Sequence, residues 1–528
     1  MANQSLELNK NLKLLVKSSI IVFIGLLLSK ILFYGYRIII ARYLGPEVYG
    51  ALSISISLLG WFIAISLLGL SDGLLRYIAL YRAKKEGEKI RYVFKLSIFL
   101  VLILSILSGL FLFFTSEIIS STFFHNSNLT IFLRLFSILI PITTISYIFL
   151  SVIKAYEKIG TYSFILNVSQ NLFKLLFLIL FLLFGMKNLG VALSYILGAL
   201  VMLIISYYYC KVKIAEIWGR SIINKIEKNQ LKKELITYSW PLLFFAFVSS
   251  ILPSIDSIFL GHFKDITAVG FYNSAVPLAM LINFAAEIFM QLFFPLITRN
   301  FYAGNMKLVS ELSKQVGKWV FIINLPLLLV MVIFPGTILN FLFGPEYLIA
   351  ESSLRILSIG VFFSAIFMIS DNLITISGRS KLTLLNIFLS LLVDLLLCII
   401  FIPMFGMFGA ALSTSISLIF GSALRGFQSY YYLSILPLRR KMFRILLISI
   451  IPTIFLIYIK DYIIINPTSL IIIGISFILL YVFLLYITGC FDKNDLMILE
   501  AFKRKIFGLN KIKTYGINNS KTLPINKV

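Results

Sequence analysis

The chain has 528 residues, of which 60% are apolar and 13% charged, with a mean hydropathy of +0.99; soluble domains are roughly 45–50% apolar and 25% charged, so no soluble core could bury this much hydrocarbon. The 47 Lys and Arg exceed the 22 Asp and Glu by 25. They lie mostly in short segments between apolar runs, so membrane topology accounts for the charge and nucleic-acid binding is excluded.

Apolar runs of about 20 residues, enough to cross a bilayer as a helix, predict an all-α polytopic membrane protein with about fourteen spans. In chain order they cover residues 18–41, 51–70, 94–114, 131–152, 162–184, 191–209, 240–260, 268–296, 319–339, 354–374, 382–402, 408–431, 443–459 and 470–487. The first run follows a basic head with Lys10, Lys13 and Lys17 and carries no cleavable leader signal, which predicts a cytoplasmic amino terminus. On that orientation 36 of the 47 cations fall on the cytoplasmic side. Only Arg42, Lys187, Lys264 and Lys460 fall in the opposite loops, an alternation that one misplaced span would scramble. The carboxyl terminus is then cytoplasmic as well, and the tail after Phe491, basic and later rich in Asn and Lys, reads as a surface helix followed by disorder.

No segment between spans exceeds about 30 residues, so no soluble domain is available for chemistry. The only histidines, His125 and His262, stand apart in short loops, and neither an acid pair nor a metal cluster occupies a sizeable loop, so an enzyme is not expected. Cys210, Cys398 and Cys490 are far apart in or beside apolar runs, which excludes a disulfide framework. No cofactor is expected.

The two halves of the chain repeat. Gly160, Asn167, Phe184-Gly185 and Leu189-Gly190-Val191-Ala192-Leu193-Ser194 return as Gly378, Asn386, Phe405-Gly406 and Phe408-Gly409-Ala410-Ala411-Leu412-Ser413, at offsets of 218 to 221 residues. The same offset sets Val48-Tyr49-Gly50 on Ala268-Val269-Gly270. The predicted organisation is a first lobe at 1–210, a cytoplasmic linker at 211–236, a second lobe at 237–434, a terminal helix pair at 435–490 and a tail at 491–528. Two six-helix lobes entered from one side suit a transporter that binds its substrate between them.

The stretches Leu28-Ser29-Lys30-Ile31-Leu32, Tyr36-Arg37-Ile38 and Ala41-Arg42-Tyr43-Leu44-Gly45-Pro46-Glu47-Val48-Tyr49-Gly50 resemble the start of the polysaccharide transporters. These are the Wzx-type lipid-linked oligosaccharide flippases of the multidrug/oligosaccharidyl-lipid/polysaccharide exporter superfamily. Phe343-Gly344-Pro345-Glu346-Tyr347 and Ile402-Pro403-Met404-Phe405-Gly406-Met407-Phe408-Gly409-Ala410-Ala411 extend the resemblance across most of the chain. It implies flipping of a polyprenyl- or dolichyl-linked glycan from the cytoplasmic to the outer leaflet of the cell membrane, by alternating access and without hydrolysis. The alternative is a cation-coupled multidrug exporter of the same superfamily. Partners are then the lipid-linked glycan and membrane lipids, and a monomer is expected.

Ionisable groups inside spans are costly and mark a pathway unless they reach water at a span end. Lys30 and Lys174 lie near mid-membrane, whereas Arg37, Arg134 and Arg355 lie toward outer ends and Arg76, Glu287, Asp371 and Arg425 toward inner ends. Lys30, Arg37, Lys174 and Arg134 form the candidate cationic cavity, whose charge-assisted donors could replace the hydration of a substrate phosphate. The resemblance also places phosphate-binding cations on the first helix, where Lys30 and Arg37 stand. In the second lobe Asp256, Asp394 and Thr414 all lie in the outer half and could converge on one cation, Na⁺ or H⁺; pairing of the acids with buried arginine is the other reading. Pro141, Pro241, Pro253, Pro277, Pro295 and Pro326 lie within spans, as kinks or hinges.

Overall fold

A computed structural model of the chain describes residues 2–462 and 467–491. Among these residues every regular element is helical and no strand occurs. Twelve helices are long and apolar enough to cross a membrane. One of them, Leu27–Leu67, holds both the first and the second expected span, and the shorter apolar helix Ile472–Ile487 supplies the last. All fourteen expected passages are therefore present. The tail beyond Phe491 lies outside the described residues.

Several spans are less regular than hydropathy suggests. The first two join at Gly45, whose φ of 83° is open to glycine and costly for other residues. The seventh span is two helices, Lys225–Ile251 and Ile255–Phe263, separated at Leu252-Pro253-Ser254. Of the six prolines within spans, Pro253 coincides with a break; the others run inside helices. The eighth span divides at Leu281 into Ile266–Met280 and Ile282–Tyr302, and the fifth carries a π-helical turn, Phe164–Ser169, ahead of Gln170–Leu183.

The linker after the sixth span is docked on the first lobe rather than free. Trp218 packs its ring against Phe94, Phe149 and Tyr207. Arg91 donates to the Glu216 carbonyl at 3.1 Å, and Tyr156 donates to the Glu216 carboxylate at 2.6 Å; burial and that carboxylate push the Tyr156 hydroxyl pKa up. Lys89 pairs with Glu227 at 3.1 Å, so the start of the seventh span is tied to the first lobe, while Ile255–Phe263 packs chiefly against Ile266–Met280, Ser380–Phe405 and Met407–Leu433.

The two halves of the chain meet closely at the end that the cation alternation predicts to be outer. At the outer end Gly50 and Gly270 cross in backbone contact: a Cβ on Gly50 would run into the Ile266 carbonyl oxygen, and one on Gly270 into that of Pro46. Beside them Arg42 of the first lobe donates to the carbonyls of Leu342, at 2.8 Å, and Phe341, and the Tyr347 hydroxyl donates to the Ala41 carbonyl at 3.0 Å. His262 stacks on Phe123 with ring centroids 4.3 Å apart. Among these contacts Asp265 caps Ile266–Met280, accepting from the Ala268 N–H at 2.6 Å. Asp265→Ala should cost about 1 kcal/mol and lower the thermal midpoint in detergent; an unchanged midpoint would show that the cap contributes nothing.

Candidate functional site

Three first-lobe spans meet at a cluster of rings and cations. Phe33, Tyr36 and Arg37 lie within one turn of the first span, Lys174 on Gln170–Leu183 and Tyr195 on Asn188–Lys213. Lys174 is only 4% exposed. Its Nζ stands 4.6 Å from the Tyr36 ring centroid, 4.5 Å from that of Tyr195 and 5.9 Å from that of Phe33. The Arg37 guanidinium lies 4.7 Å from the Phe33 centroid and donates to the Tyr49 hydroxyl at 3.1 Å. Tyr49 donates in turn to the Asn273 carbonyl of the second lobe at 2.8 Å.

Two cations thus share the Phe33 ring. Among the described residues neither makes a salt bridge. Ring faces replace part of the lost hydration, but two like charges in low dielectric raise a positive potential that an anion would relieve.

The other two expected cations behave differently. Lys30 is half-buried one to two turns below Arg37, beside the bond of 3.2 Å between Asn171 and Ser29, and makes no ion pair among the described residues. Arg134 is not brought to the cluster. At the outer end of the fourth span it pairs with Glu117 at 3.0 Å, with both side chains well exposed, because the neighbouring third span presents a carboxylate there.

The second-lobe residues do converge. Asp256, in the first turn after the break in the seventh span, accepts from the Tyr272 hydroxyl at 2.5 Å, the Thr414 hydroxyl at 3.0 Å and the Ser257 N–H at 2.6 Å. Asp394 interacts electrostatically with Asp256 and has Oδ1 3.8 Å from the Cys398 sulfur. Both carboxyls are at most 3% exposed, and among the described residues no arginine or lysine pairs with either. Carboxylates and hydroxyls gathered without a resident cation form a donor set suited to a small hard cation or a proton.

The two clusters occupy equivalent places in the repeat. Tyr36 and Asp256 are 220 positions apart, Lys174 and Asp394 also 220, and Tyr195 and Thr414 219. One lobe fills the set with a lysine between aromatic rings, and the other with two acids and a hydroxyl. Sequence reasoning found the charged members of both sets but missed Phe33, Tyr36, Tyr195 and Tyr272. Aromatic residues are ordinary inside apolar runs, and only the repeat offset singles out Tyr36 and Tyr195.

Residues 15–301 match the polysaccharide biosynthesis protein family, and residues 241–400 match the MatE family. The chain is 28% identical over 448 residues to an uncharacterized membrane protein of Methanocaldococcus jannaschii, covering 82% of this chain and 86% of that one. It is 25% identical over 392 residues to a protein of Shigella flexneri assigned as an O-antigen transporter, covering 73% and 90%. The fold is shared with the lipid II flippase MurJ in an inward closed conformation (TM-score 0.67, 18% identity, 88% of this chain and 99% of that one). It is also shared with an inward-facing multidrug resistance MATE family transporter (TM-score 0.66, 15% identity, 79% and 98%). With more than half of the sequence matched and an all-helical fold among the described residues, this chain is a multi-pass membrane transporter, not an enzyme, and belongs to the polysaccharide biosynthesis protein family of the multidrug/oligosaccharidyl-lipid/polysaccharide exporter superfamily.

Proposed function

We propose that the protein flips a lipid-linked oligosaccharide, carried on a polyprenyl or dolichyl phosphate or pyrophosphate, from the cytoplasmic to the outer leaflet of the cell membrane for surface polysaccharide or glycan assembly. The observation that carries this reading is the pair of cations on Phe33, Arg37 and Lys174, without a carboxylate partner among the described residues. A phosphate entering between the lobes meets Lys30 first and Arg37 above it, each a charge-assisted donor, and Lys174 adds field from behind the Tyr36 and Phe33 rings. A cationic drug would meet repulsion on the same wall, which disfavours the multidrug reading. Asp256, Asp394 and Thr414 form the coupling site, and their cation, Na⁺ or H⁺, biases the lobes between inward and outward states.

The test is a strain lacking this protein and any paralogue, scored for lipid-linked glycan on each membrane face. Loss should trap the glycan on the cytoplasmic side, and restoring the chain should release it unless both the Na⁺ and proton gradients are collapsed. Normal surface glycan in the depleted strain would overturn the flippase assignment. Release that is indifferent to both gradients would overturn the coupling site alone.

A further inference from the structure

The acid pair of the second lobe has an apolar side and a polar side. Toward the outer end the helix Ser380–Phe405 continues with Cys398 and Ile402, and the neighbouring helix Met407–Leu433 begins with Ala410 and Ala411; all four are fully buried. Toward the inner end the face that bears Asp394 carries Ser390, Asn386 and Thr383, three to four residues apart and so stacked in one column. These are buried as well.

Polar groups from the adjoining helices face each rung. The Ser417 hydroxyl donates to the Ser390 carbonyl at 2.7 Å, Asn386 and Gln428 exchange amide bonds of 2.8 and 2.7 Å, and the hydroxyls of Thr383 and Thr375 lie 3.1 Å apart at the inner end. In the middle of the column three buried polar atoms have no protein partner: Oγ of Ser390, Oδ1 of Asp371 and Nε of Arg425. Gly421 lets its helix approach these atoms closely. A Cβ there would run into the Ser390 hydroxyl and lie 3.5 Å from Nη1 of Arg425. Arg425 donates to the Ser422 hydroxyl at 3.2 Å and is attracted by Asp371. Buried polar atoms without a protein partner are groups that ordered water satisfies, and the eleven helical steps from Thr383 to Asp394 cover about 16 Å.

We propose that this column is a hydrated route inside the second lobe, along which a small cation passes between the cytoplasm and the Asp256–Asp394 pair without entering the space between the lobes. Arg425 is its charged constriction, and Asp371 draws that charge aside and offsets the barrier it imposes on a cation. The first lobe repeats the column with Ser163, Asn167 and Asn171, but there it ends on Lys174, a tethered ammonium. Only the second lobe offers a carboxylate at the end of the route. The identity of the passenger rests on the coupling reading above; the hydration of the route does not.

The test uses the full chain with Cys210, Cys398 and Cys490 replaced by alanine and Ser390→Cys as the reporter, in sealed vesicles of both orientations. A small cationic methanethiosulfonate added on the cytoplasmic side should label it at least about ten-fold faster than an anionic analogue, and faster than the same reagent added outside. Gly421→Val should abolish that labelling. Slowing by Na⁺ but not choline identifies Na⁺ as the passenger; no slowing by Na⁺, with slowing by acid that exceeds the slowing of Leu391→Cys over the same pH range, identifies the proton. Labelling of Ser390→Cys no faster than of the adjacent buried Leu391→Cys, or faster from outside, would overturn the route. Because labelling needs no transport, coupled transport with an unreactive Ser390→Cys counts against the route alone, and brisk labelling in a chain indifferent to both gradients counts against the coupling reading alone.

Discussion

Arg37→Ala should lower the rate of lipid-linked glycan flipping by roughly ten- to a hundred-fold, the loss expected when a charge-assisted bond worth about 1.5–3 kcal/mol is removed. Arg37 is the cation best placed to meet the substrate, since it is only half-buried and, among the described residues, its hydrogen bond is to a neutral hydroxyl, that of Tyr49. Arg37→Lys keeps the charge but loses the planar fork that pairs with phosphate oxygens, so it should recover part of the rate. Tyr49→Phe keeps Arg37 and removes only its hydroxyl partner, and should cost a few-fold. Lys174 separates function from packing by sign: an unpaired buried ammonium is a burden on the fold, so Lys174→Met should raise the thermal midpoint while flipping falls. Wild-type flipping by Arg37→Ala in reconstituted vesicles would remove the phosphate role; a lowered midpoint in Lys174→Met would mean the ammonium is structural.

Gly50→Val should abolish flipping by forcing apart the crossing of Gly50 and Gly270, if that crossing is the seal that closes the site at the outer end. The crossing leaves no room for a side chain, because Gly50 abuts the Ile266 carbonyl and Gly270 abuts that of Pro46. Overpacking at such a contact costs about 1–3 kcal/mol, which shifts a two-state balance by roughly five- to a hundred-and-fifty-fold. The cost falls only on the state in which the two glycines touch, so the chain should still fold and insert. Ser53→Cys, buried one turn below Gly50, reports the shift: an impermeant thiol reagent added outside should react with it in the Gly50→Val background and spare it otherwise. Protection in both backgrounds would show that the crossing is not the seal.

The membrane passages were readable because hydropathy and cation alternation are long-range signals, each averaged over some twenty residues. What escaped is what single residues decide. The seam at Gly45 and the break at Pro253 each depend on the local backbone, and nothing in the run from Trp240 to Leu260 distinguishes Pro253, which ends a helix, from Pro241, which does not. At the candidate site, counting depth along each span brought Asp256 and Thr414 to one level, and they meet at 3.0 Å. Depth alone carries no rotation about the helix axis. It could not show that Lys174 turns into rings, or that Arg134 turns to the Glu117 carboxylate beside it.

The glycine crossing also bears on how such a chain could arise. Gly50 and Gly270 are the same position of the repeat, 220 residues apart, and they touch each other, as equivalent residues do on the axis of a self-complementary pair of identical subunits. A single six-helix ancestor would have met its own copy at this glycine, and every change near the axis would have appeared on both sides at once. Joining the copies in one polypeptide lifts that constraint. A lysine in one half and an aspartate at its counterpart in the other, as at 174 and 394, is an asymmetry that a pair of identical chains could not hold.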